Sequence, residues 1–179
     1  MKKIFTIAMV AISVLSYSQD MRNKISVNPI QLIGYNILNS EYERGFNEGK
    51  TGVAFFIGRT GNATREYNDV VAYVSEQSVT YKLYSKTISE SSFWFGPQLS
   101  VATGDLFNSR TDSYAFDIGT LGISGKVGYQ VIIKSFYLDP YVSVGYAITN
   151  DLFGNARYQG SFEESKVLLN YGLKMGIIF

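Results

Sequence analysis

The chain has no cysteine and no histidine among its 179 residues. The first absence excludes disulfides, thiolate metal sites and a lipid-modified cysteine behind a leader. The second removes Ser-His-Asp catalysis, histidine zinc sites and imidazole general bases together, so the expectation is a protein that is not an enzyme. Proline is scarce, at three residues, and 16 Lys+Arg against 15 Asp+Glu leave a formal net charge of +1. No basic surplus argues for nucleic acid. Gly-rich phosphate loops, EF-hand patterns and redox motifs are also missing, and no cofactor or metal is expected.

Long apolar runs are confined to the beginning. Met1-Lys2-Lys3 is followed by an apolar run from Ile4 to Leu15 and by Ser16-Tyr17-Ser18 before Gln19, the pattern of a charged, then apolar, then small-residue signal peptide. Roughly a dozen apolar residues are too few to cross a bilayer core of about 30 Å as a helix. Residues 1–18 are therefore expected to be a cleaved signal peptide and residues 19–179 one exported domain.

What the chain has in quantity is 14 Tyr, 12 Phe and 17 Gly, a composition that favours β structure with close-packed positions. Period-2 segments recur along its whole length. Eight strands are expected: Lys24 to Ile33, Asn36 to Phe46, Thr51 to Gly58, a segment ending near Lys86 that extends back through Tyr73 and Val71, then segments around Phe93–Val101, Leu121–Val131, Phe136–Ala147 and Lys166–Phe179. The connections 47–50, 87–91 and 132–135 are short, whereas 59–76, 103–115 and 149–165 are long, as in barrels with brief periplasmic turns and extended external loops. Gly34-Tyr35-Asn36 is expected as a tight external hairpin. Pro29, Pro97 and Pro140 fall inside these strands and should produce bulges or strand ends, since each removes a ladder donor.

Alternation alone leaves open whether the apolar face meets lipid or a soluble core. The apolar set is too large for the interior of an eight-strand barrel, where the packed core of a TIM barrel takes about twelve side chains. The opposite face is rich in small residues, among them Gly96, Ser100, Gly122, Ser124, Gly128, Ser143, Gly145, Gly172 and Gly176, which a narrow lumen requires. Phe46, Phe93, Tyr129, Phe136 and Phe179 gather at the strand ends of one edge, as an interfacial girdle does. The fold class is thus read as all-β, an eight-stranded antiparallel up-and-down transmembrane β-barrel. A two-sheet sandwich remains the soluble alternative.

On that reading Glu41, Glu43, Lys82, Lys126, Asp139 and Lys174 share the lumen at one level above the periplasmic ends, three acids with three bases. The expectation is a neutral ion-pair belt that plugs the lower lumen, because confined charges are costly unless paired.

The chain resembles the small eight-stranded outer-membrane barrels of the OmpA/OmpX type, and the outer-membrane barrel-like families of small bacterial surface proteins. The resemblance lies in the leader ending Ser16-Tyr17-Ser18, Asn28-Pro29 to Tyr42-Glu43, Gly96-Pro97, Leu138-Asp139-Pro140-Tyr141 with Gly145-Tyr146, and Tyr171-Gly172 to Phe179. It implies the outer membrane of a two-membrane bacterium, with lipid and lipopolysaccharide as surroundings. It also implies that Tyr171, Leu173, Met175, Ile177 and Phe179 are presented to the barrel-assembly machinery as an assembly signal. The expected role is structural or adhesive, through external loops able to meet an extracellular ligand. Two alternatives stand beside it: a narrow pore or hydrophobic-ligand transporter, and a soluble exported ligand-binding β protein.

Overall fold

A computed structural model of the chain describes residues 22–35, 37–60, 70–108, 113–149 and 167–179. Among these, eight strands and one short helix occur in the order β1 (Asn23–Val27), α1 (Pro29–Tyr35), β2 (Ile37–Phe46), β3 (Thr51–Thr60), β4 (Val70–Tyr84), β5 (Ser92–Asn108), β6 (Ser113–Ile133), β7 (Phe136–Thr149) and β8 (Val167–Ile178). Each strand pairs antiparallel with the next, and β1 pairs with β8, so the sheet closes on itself. Asn23 and Phe179 exchange backbone hydrogen bonds of 2.8 and 2.9 Å at the closing seam. The expected signal peptide lies outside the described residues.

The polarity of the barrel is inverted relative to a soluble protein. Leu38, Phe55, Ile57, Phe95, Leu99, Val144 and Leu169 all face outward with more than half of their surface exposed, while Lys24, Lys82, Trp94 and Asp139 are fully buried inside. The soluble alternative, with these apolar side chains packed between sheets, is overturned by that arrangement. Phe93, Tyr129, Phe136 and Phe179 are exposed at the end carrying the short turns, and Phe93 packs on its register partner Tyr129 with ring centroids 4.5 Å apart.

The largest departure from the sequence reading is at the start of the barrel. The first strand stops at Val27 and does not run to Ile33; the expected hairpin at 34–36 is replaced by α1. The cause is local. Asn28 Oδ1 accepts from the backbone N–H of Ile30 (3.1 Å) and Gln31 (3.2 Å), and its carbonyl accepts from Leu32 N–H, so Asn28 is an N-cap with Pro29 at the first helical position. The β1–β2 ladder ends at the same place. Asn28 N–H donates to Asn39 Oδ1 (2.6 Å) and Asn39 Nδ2 donates to the Asn28 carbonyl (3.1 Å), so a side-chain amide supplies both bonds that a further ladder pair would have made.

The expected long loops are shorter than the sequence suggests. Arg59 pairs with Ser75 on β4, and β5 pairs with β6 as far as Asn108 with Ser113. Pro97 and Pro140 neither end nor bulge their strands. Each interrupts one ladder, β4–β5 for Pro97 and β6–β7 for Pro140, and the register is the same on both sides. Both rings are exposed on the outer wall, where a missing donor displaces no buried group. The register shifts that do occur lie at Leu106/Phe107 and Leu121/Gly122.

Beside Pro97, the strands approach so closely that a Cβ on Gly96 would collide with the Tyr81 carbonyl oxygen, whereas one on Gly125 would meet nothing within 4 Å. Backbone cannot move aside as a side chain can. Gly96→Ala is expected to destabilise the detergent-folded barrel by about 1–3 kcal/mol, the range for forced overpacking, with Gly125→Ala close to neutral. Urea unfolding followed by tryptophan fluorescence checks the pair, and equal midpoints would contradict the close approach.

Candidate functional site

The lumen is the candidate site, and strand alternation places its side chains. On β2 the inward parity brings Asn39, Glu41 and Glu43 into the interior, and on β4 it brings Ser78, Thr80, Lys82 and Tyr84. Glu41 and Lys174 form the tightest pair, with Lys174 Nζ 2.6 and 2.7 Å from the two carboxylate oxygens. Lys82 Nζ is 2.6 Å from Glu43, 3.4 Å from Glu41 and 3.7 Å from Asp139. One ammonium thus bridges all three acids.

Aromatic groups complete the cluster. Trp94 Nε1 donates to Asp139 Oδ1 (2.7 Å), and the Tyr84 hydroxyl donates to Glu43. Lys82 lies 4.4 Å from the Trp94 ring centroid, and Lys174 lies 4.9 Å from that of Tyr141. Such cation–π contacts strengthen when water is excluded, as it is around side chains this buried.

Lys126, expected in the ion-paired set, is placed differently. Its ammonium sits over the Tyr141 ring at 4.2 Å, and no carboxylate among the described residues is within ion-pair distance. Its place is taken by Lys24, which approaches Glu43 at 4.0 Å, donates to Tyr84 (3.3 Å) and to Gln130, and is fully buried. Among the described residues the interior therefore holds four ammonium groups, Lys24, Lys82, Lys126 and Lys174, with Glu41, Glu43, Asp139 and, on the inward parity of Ser78 on β4, Glu76, where three bases and three acids were expected. The signal for Lys24 was present in the sequence, because it shares the parity of Ser26 on β1.

Below this cluster the turn between β4 and β5 closes the barrel floor. Ile88 is 1% exposed, its N–H donates to the Gly49 carbonyl (2.7 Å), and a Cβ on Gly45 would come within 2.9 Å of it. Gly49 has φ +80°, a left-handed conformation that suits glycine, and it also touches Ile88. Gln130 Nε2 donates to the carbonyls of Thr87 (3.0 Å) and Ile88 (3.2 Å) and holds this turn inward. Nothing in the alternation of the sequence marks Ile88 as a stopper.

Tyr171, Leu173, Met175, Ile177 and Phe179 share the outward face of β8, with Tyr171 60% and Phe179 58% exposed. Of the charged and aromatic residues in the long segments 59–76, 103–115 and 149–165, Arg59 is on β3 and Asp105 and Phe107 are on β5. Arg65, Glu66, Asp69, Arg110, Asp112, Asp151, Phe153, Arg157, Tyr158, Glu163 and Glu164 lie outside the described residues. Among the described residues no group of three or more acidic side chains is arranged to hold a metal ion.

A closed antiparallel barrel of eight strands, apolar outside and charged within, defines a small transmembrane β-barrel, the architecture of the OmpA/OmpX type. No protein-family model and no curated protein matches the sequence. Among solved structures the chain is similar to Ail, the attachment invasion locus protein of Yersinia pestis, at 13% identity and a TM-score of 0.45, covering 89% of this chain and 96% of that one. It is also similar to Neisserial surface protein A, at 12% identity and a TM-score of 0.47, covering 88% and 92%.

Removing one partner of a buried ion pair leaves an uncompensated charge. Glu41→Gln takes the negative charge from Lys174 and is expected to cost about 3–5 kcal/mol. The double replacement with Glu43→Gln should cost more, since Lys82 then keeps only Asp139. Thermal unfolding of the detergent-folded protein, monitored by circular dichroism, measures both, and unchanged midpoints would mean that the ion pairs do not hold the barrel together.

Proposed function

We propose that this protein is an outer-membrane barrel of a two-membrane bacterium whose lumen is sealed by its own side chains and whose role is structural or adhesive, exercised through the external loops. The observation that carries the reading is the combination of an apolar outer wall with an interior filled by Lys24, Lys82, Lys174, Glu41, Glu43 and Asp139 above a floor stopped by Ile88. A diffusion pore keeps a continuous aqueous path, whereas ion pairs with aromatic covers and an aliphatic stopper occupy the cross-section. Catalysis has no imidazole or thiol to work with.

Residues 1–18 are proposed as the export signal, cleaved before Gln19. The outward stripe Tyr171, Leu173, Met175, Ile177 and Phe179 is proposed as the surface read by the barrel-assembly machinery. Lipid and lipopolysaccharide are the proposed surroundings of the wall, and an extracellular ligand would engage the loops.

Carbonate washing of cell envelopes should leave the protein in the membrane fraction, and unheated samples should migrate differently from boiled ones on detergent gels. Release by carbonate would overturn the membrane reading. In planar bilayers the folded protein should give no large, stable open conductance. A steady large conductance would overturn the sealed lumen and favour the pore.

A further inference from the structure

We infer that the upper lumen, between the charged cluster and the loop end, binds a small zwitterion of the amino-acid class, with Lys126 taking its carboxylate and Glu76 its ammonium. The inference begins with the charge that the cluster leaves over. Lys24, Lys82 and Lys174 lie within ion-pair distance of Glu41, Glu43 or Asp139. Lys126 is 6% exposed and has the Tyr141 ring against its ammonium, with no hydrogen bond or ion pair to any described residue. Glu76, inward on β4 by the parity of Ser78, is likewise without a hydrogen-bond or ion-pair partner among the described residues.

The two charges are opposed across the lumen. Glu76 pairs with Ala102 of β5 and Lys126 with Gly96, so they are not lateral neighbours in the sheet. The tilt of strands in a closed barrel carries such diagonal positions to facing sides of the interior, and each group acts electrostatically on the other. Their separation beyond ion-pair distance leaves both undercompensated in a confined space, where an isolated charge is costly. A ligand carrying the opposite charge at each end removes both costs at once.

Exposure along the inner face shows where space opens. Thr80, Lys82, Trp94 and Asp139 are at most 1% exposed, whereas the inward-facing Ser100, Ala102 and Asn170 above them are partly exposed, so solvent reaches the inner face on the loop side of the cluster. One wall there is polar: Gln98 donates from Nε2 to Ser78 Oγ (2.7 Å) and accepts from the Ser124 hydroxyl (3.2 Å). Apolar groups stand on the other walls. Phe56 faces inward on β3 as the register partner of Ser78, and Leu168 reaches inward far enough that a Cβ on Gly122 would come within 2.8 Å of its Cδ1. An α-amino acid with an aliphatic side chain matches this division, and the interior of an eight-strand barrel accommodates one small ligand.

The site rests on a lumen sealed beneath it; bilayer conductance tests the seal and titration tests the site, so the two fail separately. Full-length mature protein, folded in a nonionic detergent, is titrated calorimetrically with L-leucine, with isocaproate, which lacks the ammonium, and with isopentylamine, which lacks the carboxylate. Leucine should bind saturably with one molecule per chain, and each half-analogue should bind at least about tenfold more weakly, because it leaves one confined charge unpaired. Glu76→Gln and Lys126→Met should each weaken leucine by a similar factor, and Glu76→Gln should leave the weak binding of isocaproate unchanged. Absence of saturable leucine binding would overturn the inference. Equal affinity for leucine and isocaproate would leave an anion site only and overturn the zwitterion, and leucine binding that neither variant weakens would overturn the location. Where a variant does not fold, judged by the mobility of unheated samples on detergent gels, the three ligands on the unaltered protein decide.

Discussion

Enclosing charge within an apolar wall is the constraint on which the rest of this molecule depends. With lipid outside, the strands cannot draw stability from burying their large apolar side chains in a core, since hydrocarbon on either side of a leucine is nearly equivalent. What distinguishes the folded interior is polar complementarity. Lys82 bridging Glu41, Glu43 and Asp139 ties β4 to β2 and β7, and Lys174 ties β8 to β2, so the cluster cross-braces strands that are not neighbours in the wall. Removing both partners of a buried pair can be nearly neutral, but removing one is not. The cluster therefore specifies one register of the barrel more firmly than it adds net stability.

The proposed closure of the lumen rests on the same cluster. The aromatic rings of Trp94, Tyr84 and Tyr141 fill the space between ammonium groups, and Ile88 enters from the floor against two glycines that leave room for it. Glycine on the inner face is thus a matter of volume. At Gly128 an added Cβ would strike the Trp94 ring, and at Gly172 it would strike Asn28 and Tyr141. The small inner residues and the large inner residues are parts of one packing arrangement.

How much of this was legible in the sequence varies with the distance over which each signal acts. Strict alternation in β5, β7 and β8 set the two faces correctly, because a period of two fixes every side chain once one is placed. Lys24 was equally readable from Ser26 but lay at the very start of its strand. The stretch from Ile25 to Leu32 misled, since Ile30-Gln31-Leu32 alternates again, although on the parity opposite to Ile25 and Val27, while Asn28-Pro29 carries a helix cap. Seven residues are too few for a 3.6-residue period to announce itself. The loop ends misled for the opposite reason: Gly104-Asp105 has turn composition yet pairs with Ile118 and Asp117 as strand. Lys126 and Ile88 depend on contacts between distant segments, which no local pattern encodes.

The two ends of the barrel are consequently unlike in kind. At the turn end, backbone pairing is complete around the circumference, through Asn23 with Phe179 and Gly45 with Arg22, and the floor is latched by Gln130. Toward the loop end, the ring is broken between β2 and β8, and the break is bridged by side-chain amides and a helix. A wall that needed only to seal would extend β1 by three residues, to Ile30 opposite Ile37 of β2, and nothing in residues 28–30 forbids a strand except the choice of Asn28 and Pro29. That pair of residues exchanges ladder bonds, which are hard to open in lipid, for a cap and two amide bonds. Local opening therefore costs less at α1 than along the paired strands that flank it.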